Sequence, residues 1–209
     1  AFEYESGDEP AVAAAFARAK YVSRLTVESQ RLVGNALEPR ACLVAFDPAS
    51  GRYAIHLPLQ GVGGMRGQIA HVTGLDNGKI VLVAQDVGGS FGARGAAYPE
   101  YFAAMIVARK LKRPVRWVAT RGETFISDFH GRSLSLTGEL ALDADGKFLA
   151  IRFDDRADLG AYGGTFGSFI ATRNVTITIG GVYRIPAVYG RTRLAYPNTV
   201  PVSAYRGAG

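Results

Sequence analysis

The apolar run Ile80-Val81-Leu82-Val83-Ala84 and the stretch after it, Gln85-Asp86-Val87-Gly88-Gly89-Ser90-Phe91-Gly92-Ala93-Arg94, constrain this chain most. The run reads as a buried strand, because it is short, continuous and apolar, with turn residues on either side. The residues beyond it read as a helix. Between the two, three glycines surround one aromatic ring. Glycine is placed where the backbone needs positive φ or where another group approaches the main chain closely. Two readings are open. The loop is either a platform that presents backbone N–H groups and one ring at a strand end, or a tight strand-to-helix turn around a core phenylalanine. A short Gly-rich motif by itself does not separate them.

The 209 residues suffice for one domain of ordinary or large size. With 48% hydrophobic and 11% aromatic residues the chain buries a substantial core. No apolar run approaches the roughly 20 residues of a membrane span. The start, Ala1-Phe2-Glu3-Tyr4-Glu5, is acidic and carries neither an initiator Met nor a signal-peptide pattern, so we expect a piece of a longer protein. Cys42 is the sole cysteine, which rules out an intrachain disulfide and fits a reducing, cytoplasmic setting. Lying in Ala41-Cys42-Leu43-Val44-Ala45-Phe46, it reads as an inert buried thiol. His56, His71 and His130 show no metal-ligand spacing, so no protein-ligated metal is expected. The net charge of +6 raises a nucleic-acid partner. The basic residues are scattered, however, and the cluster Arg109-Lys110-Leu111-Lys112-Arg113 falls at a helix end, where it complements the helix dipole. Nucleic acid is therefore disfavoured, and an anionic cofactor or a partner subunit explains the excess equally well.

Asp8 reads as an N-cap with Pro10 in the first turn, and Val12, Ala15, Phe16 and Ala19 make one helical face through about Lys20. Alternation from Tyr21 to Val33 predicts a strand, with Tyr21, Leu25 and Val27 on one face. Strands at 41–46 and 52–57 are joined as a hairpin by Asp47-Pro48-Ala49-Ser50-Gly51. Gly61, Gly63 and Gly64 open a helix with Met65, Ile69 and Val72 on one side. A helix over 99–111 is expected to bury Phe102, Met105, Ile106 and Val107. The strand 114–118 begins at a proline and is assigned to an edge. A long hairpin follows, 133–142 with 147–154, turning at Asp143-Ala144-Asp145-Gly146 with Gly146 at the positive-φ site. Residues 159–168 read as a Gly- and aromatic-rich loop, either a ligand contact or a connector. Residues 170–179 stay open between strand, from their Thr and Val content, and helix, from their length. A last strand spans 187–196. No linker, compositional break or repeat divides the chain. The expected class is α+β, with a mixed, largely antiparallel sheet and packed helices, in one unit over 1–209.

Three separated pieces carry chemistry together. Gln60 ends a strand before a helix, Phe91 sits on the glycine loop, and Arg206 stands in the C-terminal Tyr205-Arg206-Gly207-Ala208-Gly209. An amide, backbone N–H groups and a guanidinium all suit an anionic, oxo-rich group. Asn35-Ala36-Leu37-Glu38-Pro39-Arg40, the 86–92 loop, Gly160-Ala161-Tyr162, Tyr183-Arg184-Ile185-Pro186 and Ala204-Tyr205-Arg206-Gly207-Ala208-Gly209, in this order, resemble the large subunit of the molybdenum hydroxylases, the family of xanthine oxidase, aldehyde oxidase and aerobic carbon-monoxide dehydrogenase. The likeness covers essentially the whole chain and is greatest to the bacterial branch that resembles carbon-monoxide dehydrogenase.

The resemblance implies that 1–209 is the first molybdenum-cofactor-binding domain of a longer large subunit. It implies a molybdopterin cofactor, often the cytosine dinucleotide form, whose metal takes no protein side chain as ligand. It assigns Gln60, Gly89, Ser90, Phe91, Gly92, Arg206 and Gly207 to cofactor binding, with Arg206 bordering the substrate. Expected partners are the remainder of the large subunit, FAD and [2Fe–2S] subunits or domains, and a small-molecule substrate, with no membrane. The reaction implied is hydroxylation of an aldehyde or N-heterocycle with oxygen from water. Gly207 stands where the carbon-monoxide-oxidising form has a copper-binding cysteine, and Gly95 where purine-oxidising members have a glutamate. Ser90 replaces the more frequent third glycine of the loop. The family's general base, a glutamate in a Gly-Glu motif far downstream, matches nothing here, so no catalytic residue is assigned. Glu38 is read as ordering a loop and Glu100 as part of a first helical turn. The isolated 1–209 stretch is expected to be inactive and to lack cofactor. A cofactor-free binding or scaffolding module, with nucleic acid as ligand, is the alternative from another class.

Overall fold

The computed structural model describes residues 2–208. In chain order the elements are β1 (Phe2–Gly7), α1 (Glu9–Ala17), β2 (Tyr21–Ser29), β3 (Leu32–Val33), β4 (Ala41–Asp47), β5 (Arg52–His56), α2 (Val62–Thr73), β6 (Ile80–Val83), α3 (Pro99–Leu111), β7 (Val115–Val118), α4 (Arg121–Ser127), β8 (His130–Gly131), β9 (Leu134–Leu142), β10 (Phe148–Asp158), α5 (Gly167–Phe169), α6 (Val175–Thr178) and β11 (Ala187–Ala195). The chain forms two compact units, one from residues up to Leu32 together with those from His130 onward, the other from Val33–Phe129. Nothing in composition marks the two crossings. The class is α+β, and both large sheets are mixed and mostly antiparallel.

The first unit is built on a five-stranded sheet in the order β1-β11-β10-β9-β2, in which only the β10–β11 pair is parallel. The β9–β10 hairpin turns where expected: Asp143 Oδ1 accepts from the Asp145 and Lys147 N–H groups at 2.9 Å each, and Gly146 takes φ +79°. Asp8 caps α1 by accepting from Ala11 N–H at 2.9 Å. Val12 and Ala15 of α1 pack on Ala141 and Ala150. A parallel pair needs a long crossover, and residues 170–179 lie in the one that links β10 to β11. They are helical, with Ile170–Asn174 a π-turn between α5 and α6. Their threonines are accommodated by back-bonding, Thr172 Oγ1 to Ser168 O at 2.7 Å and Thr176 Oγ1 to Thr172 O at 3.0 Å. The strand from Tyr21 ends at Ser29, and Tyr21, Leu25 and Val27 are exposed on this edge strand.

The second unit has a four-stranded sheet in the order β6-β5-β4-β7. The proline-led strand β7 is at an edge, as expected. Val44, Ile55 and Ile80 of the sheet meet Met65 and Ile69 of α2 and Tyr101, Met105 and Ala108 of α3 in one core. Two helical faces differ from expectation. Val72 and Ile106 are 63% and 64% exposed. On α3 the buried set is Tyr101, Ala104, Met105 and Ala108, a regular i, i+3, i+4, i+7 stripe in which two alanines admit close packing. Cys42 is buried in this core, and burial, with the Glu100 charge, pushes its thiol up to about 11, leaving no thiolate at neutral pH.

Candidate functional site

The chain leaves β6 at Val83 and reaches α3 at Pro99 through the glycine loop. Gly89 and Gly92 take φ of +113° and +104°, and Phe91 itself lies at φ +52°. A bulky residue in the left-handed region is strained and persists only when its surroundings impose it. Phe91 is 41% exposed, so the reading of a turn around a core phenylalanine does not hold. Its neighbours fix the loop. Glu38 Oε2 accepts from Gly88 N–H at 2.7 Å, and Glu38 N–H donates to Gly88 O at 3.1 Å. A Cβ on Gly88 would lie 2.5 Å from the Glu38 Cβ, so only glycine admits this latch. Ser90 Oγ donates to Gln60 Oε1 at 2.5 Å, and Gln60 N–H donates to Arg94 O at 3.1 Å.

This arrangement leaves donors available. Among the described residues the N–H groups of Gly89, Ser90, Phe91 and Gly92 make no internal hydrogen bond. With its oxygen taken by Ser90, exposed Gln60 keeps its Nε2 hydrogens for an outside acceptor. Gln60, Gly89, Ser90, Phe91 and Gly92 are thus brought together.

The support beneath the loop went unread in the sequence. Arg121 on α4 holds the Asn35–Leu37 segment, its Nη1 donating to Asn35 Oδ1 at 2.8 Å and Ala36 O at 2.7 Å, its Nη2 to Leu37 O at 2.5 Å. Arg40 is wholly buried. It makes a two-pronged ion pair with Glu100 at 2.8 and 3.1 Å, donates through Nε to Asp128, and reaches Ser127 Oγ at 2.5 Å. Its guanidinium also lies 4.0 Å from the centre of the Tyr98 ring. Burial opposes the charge, yet Glu100 and Asp128 outweigh it and hold the guanidinium above its ordinary pKa. Glu100 does stand in the first turn of α3, and it also pairs with Arg40. Tyr98 OH donates to Ala93 O and accepts from Phe129 N–H, both at 3.1 Å, and burial pushes its phenol up to about 12. Gln68 donates to Gly95 O at 2.8 Å and accepts from Ala97 N–H at 3.0 Å. One signal for this support was legible: Thr120 and Glu123 form a capping box that starts α4.

Arg206 and Gly207 lie in the first unit, on the C-terminal segment. Arg132 Nη1 donates to Tyr205 O at 3.2 Å and Nη2 to Arg206 O at 2.9 Å. The Arg132 guanidinium lies 5.2 Å from the Tyr205 ring centre, and Asn174 Nδ2 donates to Ala208 O at 3.1 Å. The Arg206 side chain is exposed, and Gly207 takes φ +66°. The backbone of this tail is anchored while its guanidinium faces solvent.

Among the described residues no three His, Cys, Asp or Glu side chains gather as a metal site. The donor set of backbone N–H groups and one amide instead fits an acceptor-rich group that brings its own metal ligands. The chain is 30% identical over 206 residues to the carbon monoxide dehydrogenase large chain of Hydrogenophaga pseudoflava, covering 98% of this chain and 26% of that one. It is 33% identical over 195 residues to the 6-hydroxypseudooxynicotine dehydrogenase complex subunit gamma of Paenarthrobacter nicotinovorans, covering 93% and 24%. The fold superposes on quinoline 2-oxidoreductase from Pseudomonas putida 86 with a TM-score of 0.90 at 28% identity, over 100% of this chain and 26% of that one. The chain thus spans about a quarter of the length of these relatives. With the family profile for the molybdopterin cofactor-binding domain matching residues 1–209, the chain belongs to that family.

Proposed function

We propose that this chain forms one wall of a molybdopterin site in the large subunit of an oxidoreductase that hydroxylates an aldehyde or N-heterocycle with oxygen from water. The observation that carries the reading is the Gln60–Ser90 hydrogen bond beside four unsatisfied loop N–H groups. When bound, the cofactor supplies an oxidising metal centre that carries oxygen derived from water. Gln60 Nε2 and the N–H groups of Gly89–Gly92 would hold it as donors to its acceptor atoms. Phe91, held exposed by the glycines, would lie against the bound group and shield it from water. Arg206, anchored through its backbone, takes the substrate-bordering role that the resemblance assigns, with Gly207 beside it.

The family's downstream base motif has no match in this stretch, and two of the carboxylates near the loop are committed: Glu38 accepts from Gly88 N–H and Glu100 pairs with Arg40. On this reading the isolated domain lacks the base and is inactive. Gly207 lacks the thiol for copper, and Gly95 lacks the acid that contacts purines. Heterocycles in the relatives' names, a pseudooxynicotine and quinoline, support the N-heterocycle class. We further assign the cytosine dinucleotide form of the cofactor, electron transfer to FAD and [2Fe–2S] partners, and a cytoplasmic location. Among the described residues no helix is long and apolar enough to cross a membrane.

The test uses the full-length protein with its partner subunits. Molybdenum and pterin are quantified, and turnover of aldehydes and N-heterocycles is run in ¹⁸O-labelled water. Near-stoichiometric molybdenum with label in the product is expected. A metal-free protein, or label arriving from O₂, overturns the assignment. Gln60→Ala is expected to lower molybdenum content several-fold at unchanged Tm.

A further inference from the structure

The second unit buries two arginines completely enough to invite comparison. Arg40 is saturated by two carboxylates, a hydroxyl and a ring. Arg94, 1% exposed, has no carboxylate within ion-pair distance among the described residues. Its Nη2 donates to the backbone carbonyl of Glu38 at 2.5 Å, while Nε and Nη1 have no partner. The carboxylate of Glu38 itself is turned to Gly88 N–H. A guanidinium stays charged inside a protein, and an unpaired buried charge is expensive enough that well-packed apolar residues usually replace it. Proteins break that rule chiefly at functional sites.

Arg94 sits where such a charge has a use. It follows Gly92 by two residues, in the short turn Ala93–Gly95. Its carbonyl accepts from Gln60 N–H, its side chain holds Glu38, and Glu38 in turn latches Gly88. One residue therefore ties together all three stretches of backbone that shape the loop, and it does so with a guanidinium that makes no ion pair among the described residues. We propose that Arg94 is a positioning residue: its unpaired guanidinium clamps the Glu38 segment to the 88–92 loop and supplies the fixed charge that retains an anionic, oxyanion-bearing ligand at the loop's free N–H groups. This rests on the cofactor reading above. The ligand class follows from the donors alone: N–H groups backed by a fixed cation select an anion with several oxygens.

The test compares wild type, Arg94→Met, Arg94→Gln and Arg94→Lys in the full-length protein. Removing an unpaired buried charge should leave Tm unchanged or raised in Arg94→Met. Molybdenum loss on repeated gel filtration should be at least ten-fold faster than in wild type, and Arg94→Lys should recover part of the retention. A purely structural role predicts the opposite order, a lowered Tm with normal retention, and that result overturns the proposal. If Arg94→Met fails to fold, Arg94→Gln against Arg94→Lys decides it, and equal retention by the neutral and the charged variant overturns it. Titration of the cofactor-free protein with molybdate separates this proposal from the cofactor reading. A wild-type protein that carries no pterin yet binds molybdate at least ten-fold more tightly than Arg94→Gln overturns the cofactor assignment and upholds Arg94. Equal molybdate affinity overturns the role of Arg94 whatever the cofactor content.

Discussion

Each of the two units buries a charged side chain with no exposed surface, Arg40 in one and Asp155 in the other, and their surroundings are opposite. Arg40 has every part of its guanidinium engaged by Glu100, Asp128 and Ser127. Asp155 lies in the middle of β10, and among the described residues neither of its oxygens has a well-aligned hydrogen-bond partner, the Arg156 N–H lying close but out of line; Thr192 Oγ1, on the paired residue of β11, has none either. Burial, with the neighbouring charge of Asp154, pushes the Asp155 carboxyl up to about 7, while the Arg156 N–H pulls the other way. Asp154 points to the opposite face of the sheet. There burial also acts to raise its pKa, but Arg193 and Arg191 outweigh it and hold the carboxyl below the usual range. Burial alone therefore does not decide the state of a group. Its partners decide whether it stays charged as a structural joint or takes up a proton.

Breaking the saturated cluster should have the largest effect. Arg40→Met leaves Asp128 buried without its cation, and removing one member of such a pair costs about 3–5 kcal/mol. Urea unfolding should show that loss, and a change under 1 kcal/mol would mean the ion pairs are incidental. Next comes Asp155. Its folded-state pKa lies above the unfolded value, so its contribution is fully favourable below about pH 4 and is lost as pH rises to about 7. Asp155→Asn should flatten that slope and stabilise the protein at pH 8 by on the order of 2–4 kcal/mol. An unaltered pH profile would show that Asp155 is ionised and paired after all.

Gly88→Ala probes the latch that turns the Glu38 carboxylate to the loop while its carbonyl takes Arg94. The new methyl meets the Glu38 Cβ, and overpacking of this kind costs about 1–3 kcal/mol. We expect that stability loss together with faster molybdenum loss in the full-length protein, and normal retention would show that the latch does not shape the site. The smallest effect is expected from Thr120→Ala, which removes one half of the capping box of α4, the helix that ends at Ser127 and Asp128 beside Arg40. Loss of an N-cap costs about 1 kcal/mol. If the Arg40 cluster is as rigid as its bonding implies, thermal unfolding should show only that amount.

The parts of the fold that were legible in the sequence are those set by local chemistry. Asp8 and Asp143 place a cap and a turn through their own side chains, and alternation marks the long hairpin. The stretch 170–179 was not legible, because threonine suits a strand until its hydroxyl bonds back to a helical carbonyl. Val72 and Ile106 misled because apolar spacing alone does not say which stripe of a helix faces the core. At the site, Gln60 and the 88–92 loop were legible as types of donor. Glu38 was rightly read as a residue that orders a loop. Arg40, Arg94 and Arg121 were not read, since an arginine far along the chain looks like surface charge until the residues around it are known.

By itself the sequence determined most of the long elements, the glycine turn around Phe91 and the family to which the domain belongs, because these depend on residues close together or on motifs kept in order. Tertiary structure alone decided that Glu38 latches Gly88, that Ser90 occupies the Gln60 amide oxygen, and that Arg94 is buried without an ion-pair partner among the described residues while Arg40 is saturated. Those are pairings between residues 30 to 88 positions apart. Desolvation and hydrogen bonding act through space, and nothing in the order of residues states them.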